Sequence, residues 1–502
     1  MELLLGLDIG STSVKSIIYT KFGEPVSQAS IRLPLTHSHP DRPSWCVWRH
    51  EDVWAIAKSV IAESVGKLNP GDSVKALAVT GFGMDGLPID RDGKELSDLI
   101  SWHCPRTLEQ YEEYREYFGR EDIVRETLRR SATMIDSVYR IKWMEKHEPA
   151  IMEKADKWLL IEDYVNFKLC GAVATDYSMA STTSLIRQDL PGWSDRIVGD
   201  LGVRKSLLPP AMLSGTALGK VRPEVASETG LSTDTEVVLG GHDYIVAAFA
   251  AGVRPGEILD ITGTWEMLVG VTQDAAQISL DDLFYVEPHV TKGAWCPIES
   301  AISGDMMGWM VEYQGGNWDD VMKAAEESQT GSRGCTFLPH FSGSYAPNIE
   351  PTSLGAFVGM SNAVTRGDTS RAVLEGLNYK TREMYEAMKR TMASDIKVIK
   401  ADGGATKTPL WMQIKADILG VPIHIVNLYE ATSLGAAMLA GLGTGVYESE
   451  EDAISSVTKP SAVYEPSVEA HARYSDIYEN VYLKLQGSLS DVNKGIYDRF
   501  IK

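Results

Sequence analysis

Near the start of the chain an apolar run, Leu3-Leu4-Leu5-Gly6-Leu7-Asp8-Ile9, breaks at Gly10-Ser11-Thr12 and resumes through Val14, Ile17 and Ile18. The same rhythm returns at mid-chain, where Ile258-Leu259-Asp260-Ile261-Thr262 breaks at Gly263-Thr264 and resumes through Trp265, Met267 and Leu268. Strand, small polar tip, strand is the signature of a β-hairpin. Two copies, each with Asp just before the tip, imply two related half-molecules. At 502 residues the chain also exceeds what one hydrophobic core usually holds. Two domains are therefore expected, 1–247 and 248–502, with the cut drawn in the stretch 245–255. No Pro/Ser-rich linker marks it, so the halves should meet tightly, with a cleft between them.

Both halves read as α/β. In the first, Val53, Ile56, Val60, Ile61, Val65 and Leu68 recur at helical spacing and Asn69-Pro70-Gly71 stops them, which predicts a helix over 51–68. The next segment, Val74 to Val79, reads as a buried strand and feeds the loop Thr80-Gly81-Phe82-Gly83-Met84-Asp85-Gly86. In the second, Val373, Leu377, Met384 and Met388 mark a helix, and a strand over 396–399 leads into Asp402-Gly403-Gly404-Ala405. Thr408 is placed to cap a following helix, with Pro409 at its first position and Gly420 at its end. A strand feeding a glycine-rich loop is where α/β proteins bind ligands.

The bulk properties exclude several classes. A formal charge of −21 repels nucleic acid and anionic bilayers, and no basic patch offsets it. A small anion remains acceptable if backbone N–H groups, a few cations or a metal ion supply local positive potential. The five cysteines are scattered and never form a CxxC pair, so neither a disulfide framework nor a zinc site is indicated. The first apolar stretch contains Asp8 and lacks a basic flank, and no stretch reaches the ~18 apolar residues of a membrane span. A cytoplasmic protein is expected, with homo-oligomerisation left open.

The loops supply candidate chemistry. Gly10, Ser11 and Thr12 suit a phosphate cradle, and Asp8 at the strand end suits a hydrated Mg²⁺. A single such tip is also an ordinary turn; a second at Gly263-Thr264 lets a polyphosphate be clamped from both sides. Gly403-Gly404 leaves room for a flat base such as adenine, or simply for close strand–helix packing. In Gly240-Gly241-His242-Asp243-Tyr244, before an Ala-rich helical run, Asp243 is a helix cap or a general base, and His242 a core histidine or a ligand contact. Asp85, Trp102 and Arg106 suit a polyol; Arg106 could equally serve as an ion-pair partner.

Taken together the segments LLGLDIGSTSVKS, VTGFGMDG, ISWHCPRT, ATDYSMAST, GGHDYIVAAFAAG, DITGTWEML, FLPHFSGSYAPN and ADGGATKTPLWMQIKADILGVPI with EATSLGAAMLAG resemble the FGGY carbohydrate kinases over nearly the whole chain. The resemblance implies two ribonuclease-H-like domains of the actin-like ATPase superfamily, with ATP in the cleft and a sugar bound deeper. Carried over by position, Asp8 organises Mg²⁺, Gly10, Ser11, Thr12, Gly263 and Thr264 hold phosphates, and Gly304, Gly403, Gly404 and Thr408 border the nucleotide. Asp243 becomes the base, while Asp85, Trp102, Arg106 and His242 face the sugar. Cys104 stands where many members have Asp, and Thr408 where some have Asn. The implied reaction is ATP-dependent phosphorylation of the primary hydroxyl of a ketose, L-fuculose before D-xylulose, L-rhamnulose, D-ribulose or glycerol. The competing readings are an actin-like ATPase, which would not need Asp85, Trp102 and Asp243, and a catalytically idle sugar sensor, for which no DNA-binding element is evident.

Overall fold

The computed structural model describes residues 2–501 except 130–133, 189–191, 274, 276–277, 280–284, 427 and 459–460. Its first hairpin pairs β1 (Glu2–Ile9) with β2 (Ser13–Tyr19), setting Asp8 opposite Lys15. β3 (Pro25–Arg32) continues antiparallel. The chain then crosses through α1 (His50–Val65) to β4 (Ser73–Gly81), which lies parallel to β1. β5 (Ala217–Lys220) forms one edge, and β6 (Glu236–His242) runs parallel beside β4. The order is β5-β6-β4-β1-β2-β3.

The second half repeats the plan. β7 (Glu257–Thr262) and β8 (Trp265–Gly270) form its hairpin. β9 (Tyr285–Pro288) and β10 (Trp295–Ile302) follow, while β11 (Val398–Asp402), β12 (Ile423–Ile425) and β13 (Ala462–Tyr464) complete the order β9-β10-β8-β7-β11-β12-β13. Without the edge strands, each sheet places its third, second and first strands antiparallel and its last two parallel to the first. This is the ribonuclease-H-like core, present twice, as in the actin-like ATPases.

The expected elements are found with shifted ends. The helix over 51–68 runs only from His50 to Val65, because the Gly66 N–H already closes the last turn on the Ala62 carbonyl. The strand over 396–399 starts at Val398, where pairing with Glu257 begins. The cut at 247/248 falls inside α2 (Asp243–Ala250). Each half buries its own apolar cluster, and a third cluster joins them. Leu4, Ile17 and Ala78 of the first sheet and Leu259, Val269 and Ile298 of the second pack there against α2 and a late helix, Ala431–Gly443. The halves thus share a core at the base of the cleft. All five cysteines are free, and among the described residues no helix is long and apolar enough to cross a membrane.

Candidate active site

Strand register assembles the site. Asp8 lies opposite Thr80 on β4, and Thr80 opposite Gly241 on β6, so three adjacent parallel strands end together at their carboxyl edge, where loops diverge and leave a crevice. A bulge between Leu239 and Gly241 breaks the ladder, and the Thr80 hydroxyl donates to the Gly241 carbonyl at 2.7 Å. Bulges re-aim side chains beside functional sites. Here the bulge turns the chain so that Asp243 is the first residue of α2, where the helix dipole favours a negative charge.

Asp243 keeps 30% of its side chain exposed, whereas His242 beside it keeps 2%. Burial lifts the Asp243 carboxyl above the usual carboxylate range, opposed by the His242 ring and the Tyr244 N–H. Across the crevice, burial and then the Asp243 charge push Asp8 up to about 7, with Lys15 opposing and Glu430 adding to the rise. Lys15 gives little relief because its ammonium sits 2.6 Å from Glu430. A hydrated Mg²⁺, which binds through one or two carboxylates and retains water, would find its protein ligand in Asp8. Among the described residues no cluster of three or more ligating side chains exists.

The candidate nucleotide-side residues sit on the two hairpin tips and on loops beside the second tip. The tips Thr12 and Gly263-Thr264 are exposed. A helix, Gly304–Gln314, starts against the second tip: Gly304 N–H donates to the Gly263 carbonyl at 3.0 Å and Ser303 N–H to Thr264 at 3.0 Å. Gly403, at φ +98°, lies so close to Thr262 that a Cβ there would stand 2.6 Å from its carbonyl oxygen. Gly404 has open space about it. Thr408 precedes the helix Pro409–Leu419 without making the expected side-chain cap; its N–H donates to Ala405 at 3.0 Å.

The sugar-side set divides. Gly83 approaches His242 so closely that a Cβ on it would lie 2.9 Å from Nε2, which brings the 80–86 loop next to the residue that precedes Asp243. Trp102 stacks on His103 with ring centroids 3.6 Å apart. Asp85 departs from expectation, being fully buried. Its carboxylate accepts from the Trp48 indole at 2.8 Å and the Trp102 N–H at 2.9 Å, with Arg140 at 3.2 Å. It therefore anchors the aromatic wall from behind and does not open to a ligand. Arg106 is likewise turned aside, between Trp45 and Trp143 at 4.6 and 5.2 Å, donating to Ser38 Oγ at 2.7 Å and Cys104 Sγ at 3.0 Å.

The model of the FGGY carbohydrate kinase N-terminal domain matches residues 3–250, and that of the C-terminal domain residues 261–444. The chain belongs to the FGGY family of carbohydrate kinases. Among its relatives, the xylulose kinase of Bacillus subtilis is 26% identical over 496 residues, covering 96% of this chain and 97% of that one. The L-fuculokinase of Salmonella typhi is also 26% identical, over 481 residues, covering 93% and 98%. The solved xylulose kinase from Lactobacillus acidophilus shares the fold, with a TM-score of 0.88 at 20% identity, covering 98% and 99%.

This FGGY kinase is an ATP-dependent phosphotransferase acting on a sugar, and its two hairpins have diverged. Asp260, the counterpart of Asp8, is filled from within: the ammonium of Lys415 bonds its carboxylate, Thr262 Oγ1 at 2.9 Å and Glu266 at 2.8 Å. Thr381 donates to the same Glu266 at 2.7 Å. One repeat keeps its carboxylate partly exposed, while the other commits it to a buried ion pair beneath its hairpin tip. Spacing within the sequence gave no sign of Lys415, Glu266, Glu430 or Trp48; only the fold brings them in. The close seat of Gly304 is directly testable. A Cβ there would lie 2.1 Å from the Gly263 carbonyl oxygen, and forced overpacking costs about 1–3 kcal/mol. Gly304→Ala should therefore raise the KM for ATP roughly five- to 150-fold with little change in the KM for sugar, as measured by initial rates.

Proposed function

We propose that this kinase phosphorylates the primary hydroxyl of a ketose, with Asp243 as the general base. The observation that carries the reading is a partly exposed carboxylate at a helix start, set by a bulged strand at the same carboxyl edge as Asp8. A sugar hydroxyl is a weak nucleophile. Asp243 accepts its proton as the oxygen attacks the γ-phosphorus of ATP in line. Gly10, Ser11 and Thr12 face the phosphates from one side and Gly263 and Thr264 from the other. Adenosine lies along Gly403 and Gly404, bordered by Gly304 and Thr408. Asp8 holds Mg²⁺, which when bound offsets the charge of the phosphates. A sealed, aromatic-walled site keeps water from competing with the sugar.

L-Fuculose is the favoured substrate. Relatives named L-fuculokinase, matched over nearly the whole chain, support that reading. D-Xylulose is the second reading, supported by relatives named xylulose kinase that are as similar as those named L-fuculokinase. Coupled detection of ADP release with L-fuculose, D-xylulose, L-rhamnulose, D-ribulose and glycerol, plus a control without sugar, tests the choice. L-Fuculose should give the highest kcat/KM. A maximum on D-xylulose or glycerol would overturn the L-fuculose assignment, and rapid ADP release without any sugar would overturn the kinase reading.

A further inference from the structure

Behind the base runs a buried chain of charges that the transfer reaction, as described, does not use. His242 Nδ1 lies 2.8 Å from a carboxylate oxygen of Glu287, and its Nε2 lies 3.7 Å from Asp243. The other Glu287 oxygen receives Arg129 at 3.4 Å. Arg129 in turn donates to Asp136 at 3.1 Å and to the Ser181 carbonyl at 3.0 Å, with its guanidinium over the Tyr285 ring. The order is Asp136, Arg129, Glu287, His242, Asp243, with alternating sign. Glu287 and Arg129 are 1% and 4% exposed, and taking such charges out of water is costly. Stability alone therefore does not account for the chain.

Glu287 is the one member contributed by the second half of the molecule. It lies on β9, the edge strand of the second sheet, and that strand is zipped onto the first half: Val286 N–H donates to the Leu128 carbonyl at 3.0 Å, and Tyr285 bridges to Arg129. His242 is held in other ways as well. Its backbone N–H donates to Ser178 Oγ at 2.9 Å, and the Tyr244 ring packs on the imidazole at 4.1 Å between centroids. The charged and titratable groups around it are Glu287, Asp243, Asp176 and Tyr244. Burial pulls the imidazole down, and Glu287, with Asp243 and Asp176, more than offsets this, so the ring is held above its ordinary value.

Building on Asp243 as the base, we propose that Glu287, steadied by Arg129, is a positioning residue: it reaches from the second half to hold His242 as an imidazolium against Asp243. The imidazolium keeps the partly buried Asp243 ionised and its carboxylate in one orientation. Because Glu287 and Asp243 come from opposite halves, the base is fully set only while β9 is docked on Leu128 and Arg129.

The test uses the full-length protein. Glu287→Gln, which keeps the shape and removes the charge, should lower kcat roughly ten- to a hundredfold while both KM values stay within about threefold, and Glu287→Asp should recover part of the loss. In protein labelled with ¹⁵N-histidine, the His242 ring should stay doubly protonated above the pH at which an ordinary histidine loses its proton, and should lose that proton earlier in Glu287→Gln. A neutral His242 ring at neutral pH in the unmodified protein overturns the proposal even if the variant fails to fold. So does a Glu287→Gln variant with kcat within twofold of the parent, or one whose kcat and KM worsen together while the ring titrates unchanged. Should Asp243→Asn turn over normally while His242 behaves as expected, the error would lie in the choice of base and not in the Glu287 contact.

Discussion

Asp243→Asn is expected to lower kcat by roughly 10²–10⁴, the range for loss of a general base, while ATP and sugar still bind within a few-fold. Asparagine fills the same volume at the first position of α2 and still accepts the Tyr244 N–H that Asp243 receives at 2.7 Å, so the helix start is preserved. Only proton acceptance is lost. Calorimetric titration of each substrate, set beside coupled measurement of kcat, separates the two effects. Near-normal turnover would remove Asp243 from the role, and joint loss of binding and rate would show that the carboxylate shapes the site instead of taking the proton.

The second large effect is expected in the buried ion pair beneath the second hairpin tip. Lys415, Asp260 and Glu266 are 0%, 0% and 2% exposed. Lys415→Met leaves two buried carboxylates without a cation, and breaking a buried pair in this way costs about 3–5 kcal/mol. Already with Lys415 in place, burial holds Asp260 up at about 6. Urea unfolding should show the loss, and the triple variant Lys415→Met with Asp260→Asn and Glu266→Gln should recover much of it, because removing all the charged partners avoids stranding any of them. A single variant within 1 kcal/mol of the parent would mean that these carboxylates are already protonated or solvated.

The two hairpins, the glycine tips and the α/β alternation could be read along the chain because turn chemistry and strand period act over a few residues. The packing of Gly304 and Gly403 against the second tip, by contrast, joins residues far apart in the chain and comes only from the fold. Asp85 and Arg106 were legible as polar groups beside a loop, yet their surroundings were not: Trp48, Arg140, Trp45 and Trp143 arrive from other elements and enclose them. The domain cut falls inside α2, which with the helix Ala431–Gly443 forms a core common to both halves, and no local composition marks a boundary that is itself packed.

The sequence by itself determined a duplicated α/β chain with a carboxylate before each hairpin tip, since alternation and turns are local properties, and its ordered motifs carried the resemblance to carbohydrate kinases. Only the tertiary structure decided the surroundings of each carboxylate: Asp8 stays partly exposed, Asp260 is closed by Lys415, and Asp85 is buried on the Trp48 indole, the Trp102 N–H and Arg140. The charge state of a carboxylate depends on burial and on the ions within a few ångströms of it, and those neighbours are brought from distant parts of the chain only by folding.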